Sequence, residues 1–273
     1  MSKVVKSMRK SKLVIKKNPE VKLKIPHFTV DEILSPKLNL IPLTRNLNKH
    51  FACAFIGRAG SGKTSLALGM LGSSDIFKRV FDNIYAFVPP NSRASIKKNV
   101  LQDLPDDQIY DELTTDNLIH CFERVEQNAK ESLNSLILFD DVQQFLKGDC
   151  EPLLVHMINN RRHNRVSLMV IAQSYGKIPK AARQAFTDVF LFNLSKADYA
   201  KIYEELVSSE KDNWERVLTN YSLQTAANEH SFLYFNTLNQ SFFINWNECL
   251  FDEGQQESDE DVKTAAEGQA SEL

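Results

Sequence analysis

Apolar residues fall along this chain in short blocks separated by longer stretches of helical spacing. Five blocks of strand length stand at 51–56 (FACAFI), 83–88 (NIYAFV), 135–139 (SLILF), 167–172 (SLMVIA) and 188–194 (DVFLFNL). Their shortness and their β-branched and aromatic content favour strands over helices. Between them, residues 63–72, 115–132, 143–163 and 180–186 space their apolar positions with a helical period. Strands that are apolar throughout and alternate with helices predict a parallel sheet covered on both faces, an α/β architecture. Two more helical stretches follow, near 196–209 and 212–224. A closing pair, SFLYFNTL and SFFINW, predicts an antiparallel hairpin at the sheet edge, turning at Asn239-Gln240 without the usual glycine. Upstream, Pro36 and Pro42 argue against one long helix in the lead-in segment.

Composition narrows the class. With 273 residues, 42% hydrophobic and 25% charged, the chain matches a soluble globular protein of one large domain. No apolar run approaches the roughly 20 residues of a membrane helix, and the first residues lack the apolar stretch of a secretory signal. A spanning or secreted protein is therefore not expected. Cys53, Cys121, Cys150 and Cys249 are far apart and form no CxxC pair, which predicts free thiols in a reducing compartment and no zinc cluster.

The net charge of −2 hides a polarity along the chain. Residues 1–25 carry nine Lys/Arg against Glu20, a net of +8; residues 252–273 carry eight acids against Lys263, a net of −7. The predicted organisation is a basic arm and lead-in over 1–44, a catalytic domain over 45–251 and an acidic disordered tail over 252–273. Basic arms often touch nucleic acid and are as often only solvated. The tail reads as a solubilising end.

The sharpest chemical signal is GRAGSGKT, Gly57 to Thr64, which fits G-x-x-x-x-G-K-[ST] directly after an apolar strand and before an apolar helix. A phosphate chain needs a concave row of backbone N–H groups. Gly57, Gly60 and Gly62 allow the tight turn, with Arg58, Ala59, Ser61 and Ser65 completing the cradle. The following helix aims its positive end at the phosphates. Lys63 would neutralise the β and γ oxygens of ATP, and the Thr64 hydroxyl would reach Mg²⁺.

The run SLILFDD brings an apolar strand to its carboxyl edge, where open α/β sheets bind ligands. Asp140 fits the acid that orders Mg²⁺. Asp141 alone fits a general base for the attacking water or a cap for a helix beginning VQQFLKG, and the P-loop upstream favours the catalytic role. Gln173, ending SLMVIAQ, is either a γ-phosphate sensor or a surface glutamine, and the strand order decides between them. Arg161, Arg162, His163 and Arg165 form a basic run before the fourth strand. They suit a helix C-terminus, and an exposed guanidinium among them suits an arginine finger reaching a neighbouring subunit.

GRAGSGKT, LILFDD, the RRHNR run and VIAQS together resemble the genome-packaging ATPases of large DNA viruses and their smaller relatives, including the poxvirus-type, virophage and Polinton-like packaging ATPases, within the FtsK/HerA superfamily. The likeness covers roughly Phe51 to Leu194. It implies a RecA-like P-loop domain with the catalytic acid strand beside the P-loop strand. It further implies a homo-oligomeric ring, hexamer or pentamer, with ATP at subunit interfaces, pumping double-stranded DNA into a preformed capsid. A capsid or portal component would be a partner, and the site of action the host cytoplasm, a viral factory or the virion. Arg162 matches the family's arginine position best, with Arg183 a second candidate, and Lys177 and Lys180 would lie in DNA-facing pore loops. Many relatives place glutamate where this chain has Asp141, one methylene shorter. Two alternatives from other classes are a P-loop nucleotide or small-molecule kinase and a non-enzymatic scaffold switched by nucleotide.

Overall fold

The computed structural model describes residues 50–74, 76–94 and 100–251. The basic arm and the acidic tail lie outside them. Among the described residues the chain builds a nine-stranded sheet with helices packed on it. The strands are β1 (Ala52–Gly57), β2 (Asn83–Phe87), β3 (Ile109–Tyr110), β4 (Ser135–Phe139), β5 (Val166–Ala172), β6 (Asp188–Phe192), β7 (Leu233–Asn236), β8 (Ser241–Ile244) and β9 (Asn247–Glu248). The helices are α1 (Lys63–Gly72), α2 (Pro90–Ala94), α3 (Thr115–Lys130), α4 (Glu151–Asn160), α5 (Lys180–Arg183), α6 (Lys196–Leu206) and α7 (Lys211–Ala227).

The sheet order is β3-β2-β4-β5-β1-β6-β7-β8-β9. The first six strands in that order are parallel, and β7, β8 and β9 continue antiparallel. The five sequence-predicted strands are therefore all present in a mostly parallel sheet, and the closing hairpin sits toward one edge. One expectation is overturned. The strand carrying Asp140, β4, does not lie beside the P-loop strand β1, because β5 is inserted between them and pairs with both. Gln173, at the end of β5, thus stands between the P-loop and the acid.

Alternation within β1 explains the two layers. Ala52, Ala54 and Ile56 point into one core with Leu118, Val125, Leu154 and Trp214, from α3, α4 and α7. Phe51, Cys53 and Phe55 point into the other with Ala67, Met70 and Leu71 of α1. Every β1 residue is buried, as a strand covered on both faces requires.

The continuous helix predicted over 143–163 is not formed. Two 3₁₀ turns, Gln143–Phe145 and Gly148–Cys150, precede α4, which begins at Glu151 with Pro152 in its first turn. Gly148 takes a left-handed φ of 79°, which ends the first segment. Val142, Leu146 and Cys150 still bury one common face, so their four-residue spacing looks helical without a helix. Likewise 180–186 contributes only the four residues of α5.

The β7–β8 connection spans Thr237–Gln240 and not just Asn239-Gln240. Asn236 Oδ1 accepts from the backbone N–H groups of Leu238 and Asn239, and Gln240 takes the left-handed conformation at φ 59°. A side-chain acceptor and a strained glutamine replace the expected glycine.

At the opposite edge from the P-loop, the first residue of β6, Asp188, is fully buried. Its carboxylate accepts from Thr187 (2.6 Å), Tyr234 (2.8 Å) and Asn236 (3.1 Å), pinning β6 to β7. Burial raises its pKa to about 6 against these hydrogen bonds and the nearby Arg161 charge.

Candidate nucleotide-binding site

The turn after β1 is shaped by three glycines with different tasks. A Cβ on Gly57 would meet Phe192 Cβ and its carbonyl oxygen at 2.5 Å, so only glycine lets β1 and β6 approach this closely. Gly60 (φ 76°) and Gly62 (φ 97°) supply left-handed backbone, where a side chain is strained. Gly62 occupies the N-cap of α1 with no side-chain cap, and the first turn of α1 carries no acid. The initial N–H groups of a helix lack intrahelical partners. This helix start is accordingly free to receive an anion.

Two details fit a phosphate in this cradle. Ser61 Oγ is buried without a hydrogen-bond partner. Lys63 is 7% exposed and its Nζ donates to the Arg58 carbonyl at 2.7 Å, closing the loop upon itself. Burial lowers the Lys63 pKa, opposed by the charges of Asp140 and Asp141. A buried lysine facing two carboxylates and a peptide oxygen is poised to exchange the latter for phosphate oxygens.

Thr64 Oγ1 donates to Asp140 Oδ1 at 3.1 Å, joining α1 to the end of β4 across 76 residues of sequence. Asp140 is 5% exposed, and burial raises its pKa to about 6. The Thr64 bond and Lys63 work against that shift, and Asp141 adds to it. One hydroxyl and one carboxylate beside a phosphate cradle suit Mg²⁺, which keeps several waters and takes few protein ligands. No cluster of three or more His, Cys, Asp or Glu able to hold a metal occurs among the described residues.

Asp141 is exposed and sits at a left-handed φ of 57°. For a non-glycine residue this costs on the order of 1–3 kcal/mol and concentrates at functional sites. The helix-capping reading fails. The following 3₁₀ turn is N-capped by Val142 with no side-chain bond, and Asp141 Oδ2 accepts instead from Ser92 Oγ at 2.7 Å. Ser92, from the short helix α2 after β2, was not singled out from sequence. Neither was Gln143, whose Oε1 accepts the Gln173 backbone N–H at 2.6 Å and ties the acid loop to the end of β5. Polar residues just past strand ends are the available signal for both.

A cavity of about 170 Å³ gathers Gly60, Lys63, Thr64, Ser92, Asp140, Asp141, Gln143 and Gln173. The sequence-predicted P-loop, acid pair and glutamine thus meet at one place. The basic run does not join them. Arg161, Arg162, His163 and Arg165 precede β5 and so lie at the opposite edge of the sheet. Arg161 Nε donates to the His50 carbonyl at 2.9 Å, and His163 is exposed.

Arg183 is withdrawn as an interface arginine. It is buried, pairs with Glu205 through Nε (2.9 Å) and Nη2 (2.6 Å), and also donates to the carbonyl oxygens of Tyr175 and Ile178. Its five donors are largely consumed in fixing the loop after Gln173. Lys177 and Lys180, on and beside that loop, are exposed.

The model of the Poxvirus A32 protein family matches residues 43–262. The chain belongs to this family. The resemblance drawn from GRAGSGKT, LILFDD and RRHNR is thereby borne out at family level. The A32-family chain is 30% identical over 174 residues to the DNA packaging protein OPG160 of Variola virus, covering 57% of this chain and 58% of that protein. To OPG160 of Vaccinia virus strain Copenhagen it is 29% identical over 169 residues, covering 56% of each. The match thus spans just over half the length of these relatives. Among solved structures, the genome packaging NTPase B204 of Sulfolobus turreted icosahedral virus 2 in complex with AMP superposes with a TM-score of 0.54 at 15% identity, over 72% of this chain and 98% of that one. B204 of Sulfolobus Turreted Icosahedral Virus gives 0.52 at 16%, over 71% and 96%. At these identities the likeness establishes the shared fold, a RecA-like P-loop domain.

Proposed function

We propose that this A32-family chain is an ATPase that drives double-stranded viral DNA into a capsid. It works as a homo-oligomeric ring with ATP at the subunit interfaces, in contact with a capsid or portal component. The site of action is the cytoplasm of the infected cell, a viral factory or the virion. The observation that carries the reading is the Thr64–Asp140 bond, which sets a hydroxyl and a buried carboxylate against the phosphate cradle. Family membership and the names of the relatives supply the packaging role. No helix among the described residues is long and apolar enough to cross a membrane.

In this reading, Gly57 to Ser65 wrap the phosphates. Lys63 turns from the Arg58 carbonyl to the phosphate oxygens, and Thr64 and Asp140 would hold the metal. A Mg²⁺ ion there would supply charge neutralisation at the phosphate oxygens. Asp141 accepts a proton from the attacking water, and Gln173 contacts the γ-phosphate end. Arg162, on the far edge of the sheet, reaches only a neighbour's nucleotide and therefore acts in trans. Lys177 and Lys180 offer phosphate contacts to DNA without reading its sequence.

The test is steady-state ATP hydrolysis by the full chain with Mg²⁺, with and without duplex DNA. DNA-stimulated turnover is expected. Phosphorylation of a small acceptor would point to a kinase, and nucleotide binding without turnover to a switched scaffold. Mixing Arg162→Ala with Lys63→Ala subunits should restore part of the activity; strictly additive activities would remove Arg162 from the site.

A further inference from the structure

A second cavity adjoins the P-loop on its other flank. It measures about 520 Å³ and shares Gly60, Lys63 and Thr64 with the acidic cavity. The two open on opposite sides of β1. The acidic one faces β4 and β5 through Asp140 and Gln173, whereas the second faces β6 and β7 through Phe192, His230 and Phe232, with Leu66 of α1 beside them. The cavity on one flank of the P-loop is charged and the one on the other flank is aromatic.

The aromatic wall is held in place from behind. Asn245 Oδ1 accepts the Phe232 backbone N–H at 3.0 Å, and the Asn245 N–H donates to the Phe232 carbonyl at 3.1 Å. Asn245 and Trp246 form the two-residue turn between β8 and β9, both left-handed at φ 48° and 72°. Such turns suit asparagine, and an indole there is an outlier. The result is that Trp246 meets Phe232 edge-on at 5.0 Å, while Phe190 and Phe192 tilt against it at 5.7 and 5.9 Å. At the mouth, the His230 ring stands within 3.6 Å of where a Gly62 side chain would begin and is 58% exposed.

We propose that this groove, lined by Leu66, Phe192, His230 and Phe232, is the nucleoside subsite, taking the base of a nucleoside triphosphate by stacking without reading which base it is. The proposal rests on the nucleotide-binding reading above and gives the ligand a direction. The γ-phosphate end lies among Asp140, Asp141 and Gln173, and the base lies under the β7 side of the sheet. Stacking accepts any base, because each has a π-face. The polar side chains on this side are the Lys63 ammonium, the hydroxyls of Thr64 and Ser65 and the His230 ring; Lys63 is held at the P-loop by the Arg58 carbonyl and Thr64 is committed to Asp140. That is a poor set for discriminating base edges.

The test measures dissociation constants with Mg²⁺ for ATP, GTP and ribose 5-triphosphate, which lacks only the base. ATP and GTP should bind within about tenfold of each other, and each about tenfold more tightly than ribose 5-triphosphate. The double variant His230→Ala/Phe232→Leu should bring ATP to within about threefold of ribose 5-triphosphate while leaving the latter's affinity unchanged. His230→Ala alone changes an exposed side chain and should weaken ATP about threefold, so the proposal stays testable if the double variant does not fold. Equal binding of ATP and ribose 5-triphosphate to the unmodified protein would overturn the subsite and leave the P-loop reading standing. An ATP advantage surviving both variants would do the same, and selectivity beyond about 100-fold between ATP and GTP would overturn the absence of base reading. Failure to bind any of the three would overturn the nucleotide reading and the subsite together.

Discussion

Two buried aspartates mark the two edges of this sheet, and burial raises both to a pKa of about 6. Asp188, opening β6, accepts from Thr187, Tyr234 and Asn236 and is sealed from solvent. Asp140, just beyond β4, accepts from one hydroxyl, Thr64, lies next to a second carboxylate and lines a cavity. The raised pKa is the same; the surroundings differ. A carboxylate enclosed by neutral donors is a structural pin. One with few donors, a like charge beside it and open space in front is set up for a cation. The same contrast separates Arg183, whose guanidinium is bound by Glu205 and two carbonyls, from Lys63, which holds a single carbonyl in a loop built to bind something else.

Substitutions break this comparison in a definite order. Asp141→Asn should lower kcat for ATP hydrolysis by about 10²-fold or more while ATP still binds, as loss of a general base predicts; an unchanged kcat would return Asp141 to a structural role. Arg183→Ala leaves the half-buried Glu205 with only the Tyr175 hydroxyl as partner and should cost about 2 kcal/mol of stability, read from denaturant unfolding. If that variant unfolds like the unmodified chain, the loop after Gln173 is held by something else. Ser92→Ala removes the hydroxyl that orients Asp141 and should reduce kcat about threefold to tenfold at constant KM, with Ser92→Thr restoring it.

The smallest expected effect concerns Asp188. Its folded-state pKa lies above the unfolded value, so its contribution to stability is fully present below about pH 4 and lost as pH rises through 6. Between pH 7 and pH 5 the unmodified chain should gain about 1 kcal/mol relative to Asp188→Asn, with ATPase activity in the variant within about twofold. Parallel stability curves for the two proteins would show that Asp188 does not titrate in this window.

Much of this arrangement was legible in the chain. The runs at 51–56, 83–88, 135–139, 167–172 and 188–194 became β1, β2, β4, β5 and β6 because strands buried on both faces must be apolar at every position. GRAGSGKT was legible because left-handed turns and the close approach to Phe192 demand glycine at fixed places. The strand order was not, since pairing between β1 and β5 is a long-range choice that local pattern does not encode. The segment after Asp141 misled because Val142, Leu146 and Cys150 bury one face at helical spacing across two 3₁₀ turns and a left-handed glycine. Ser92, Gln143, His230 and Phe232 reach the site only through tertiary contacts. As isolated polar or aromatic residues they carry no motif. Arg183 looked like an interface cation because its partner, Glu205, is 22 residues away.

The account turns on Asp140 and Thr64 holding the metal of a bound nucleoside triphosphate. The direct measurement is calorimetric titration of ATP into the full chain with Mg²⁺ and after its removal by chelation, for the unmodified protein and Asp140→Asn. Removing Mg²⁺ should weaken binding by about tenfold or more in the unmodified chain and change it less than about twofold in Asp140→Asn, which has lost the metal-bearing carboxylate. Equal Mg²⁺ dependence in the two proteins would contradict the assignment.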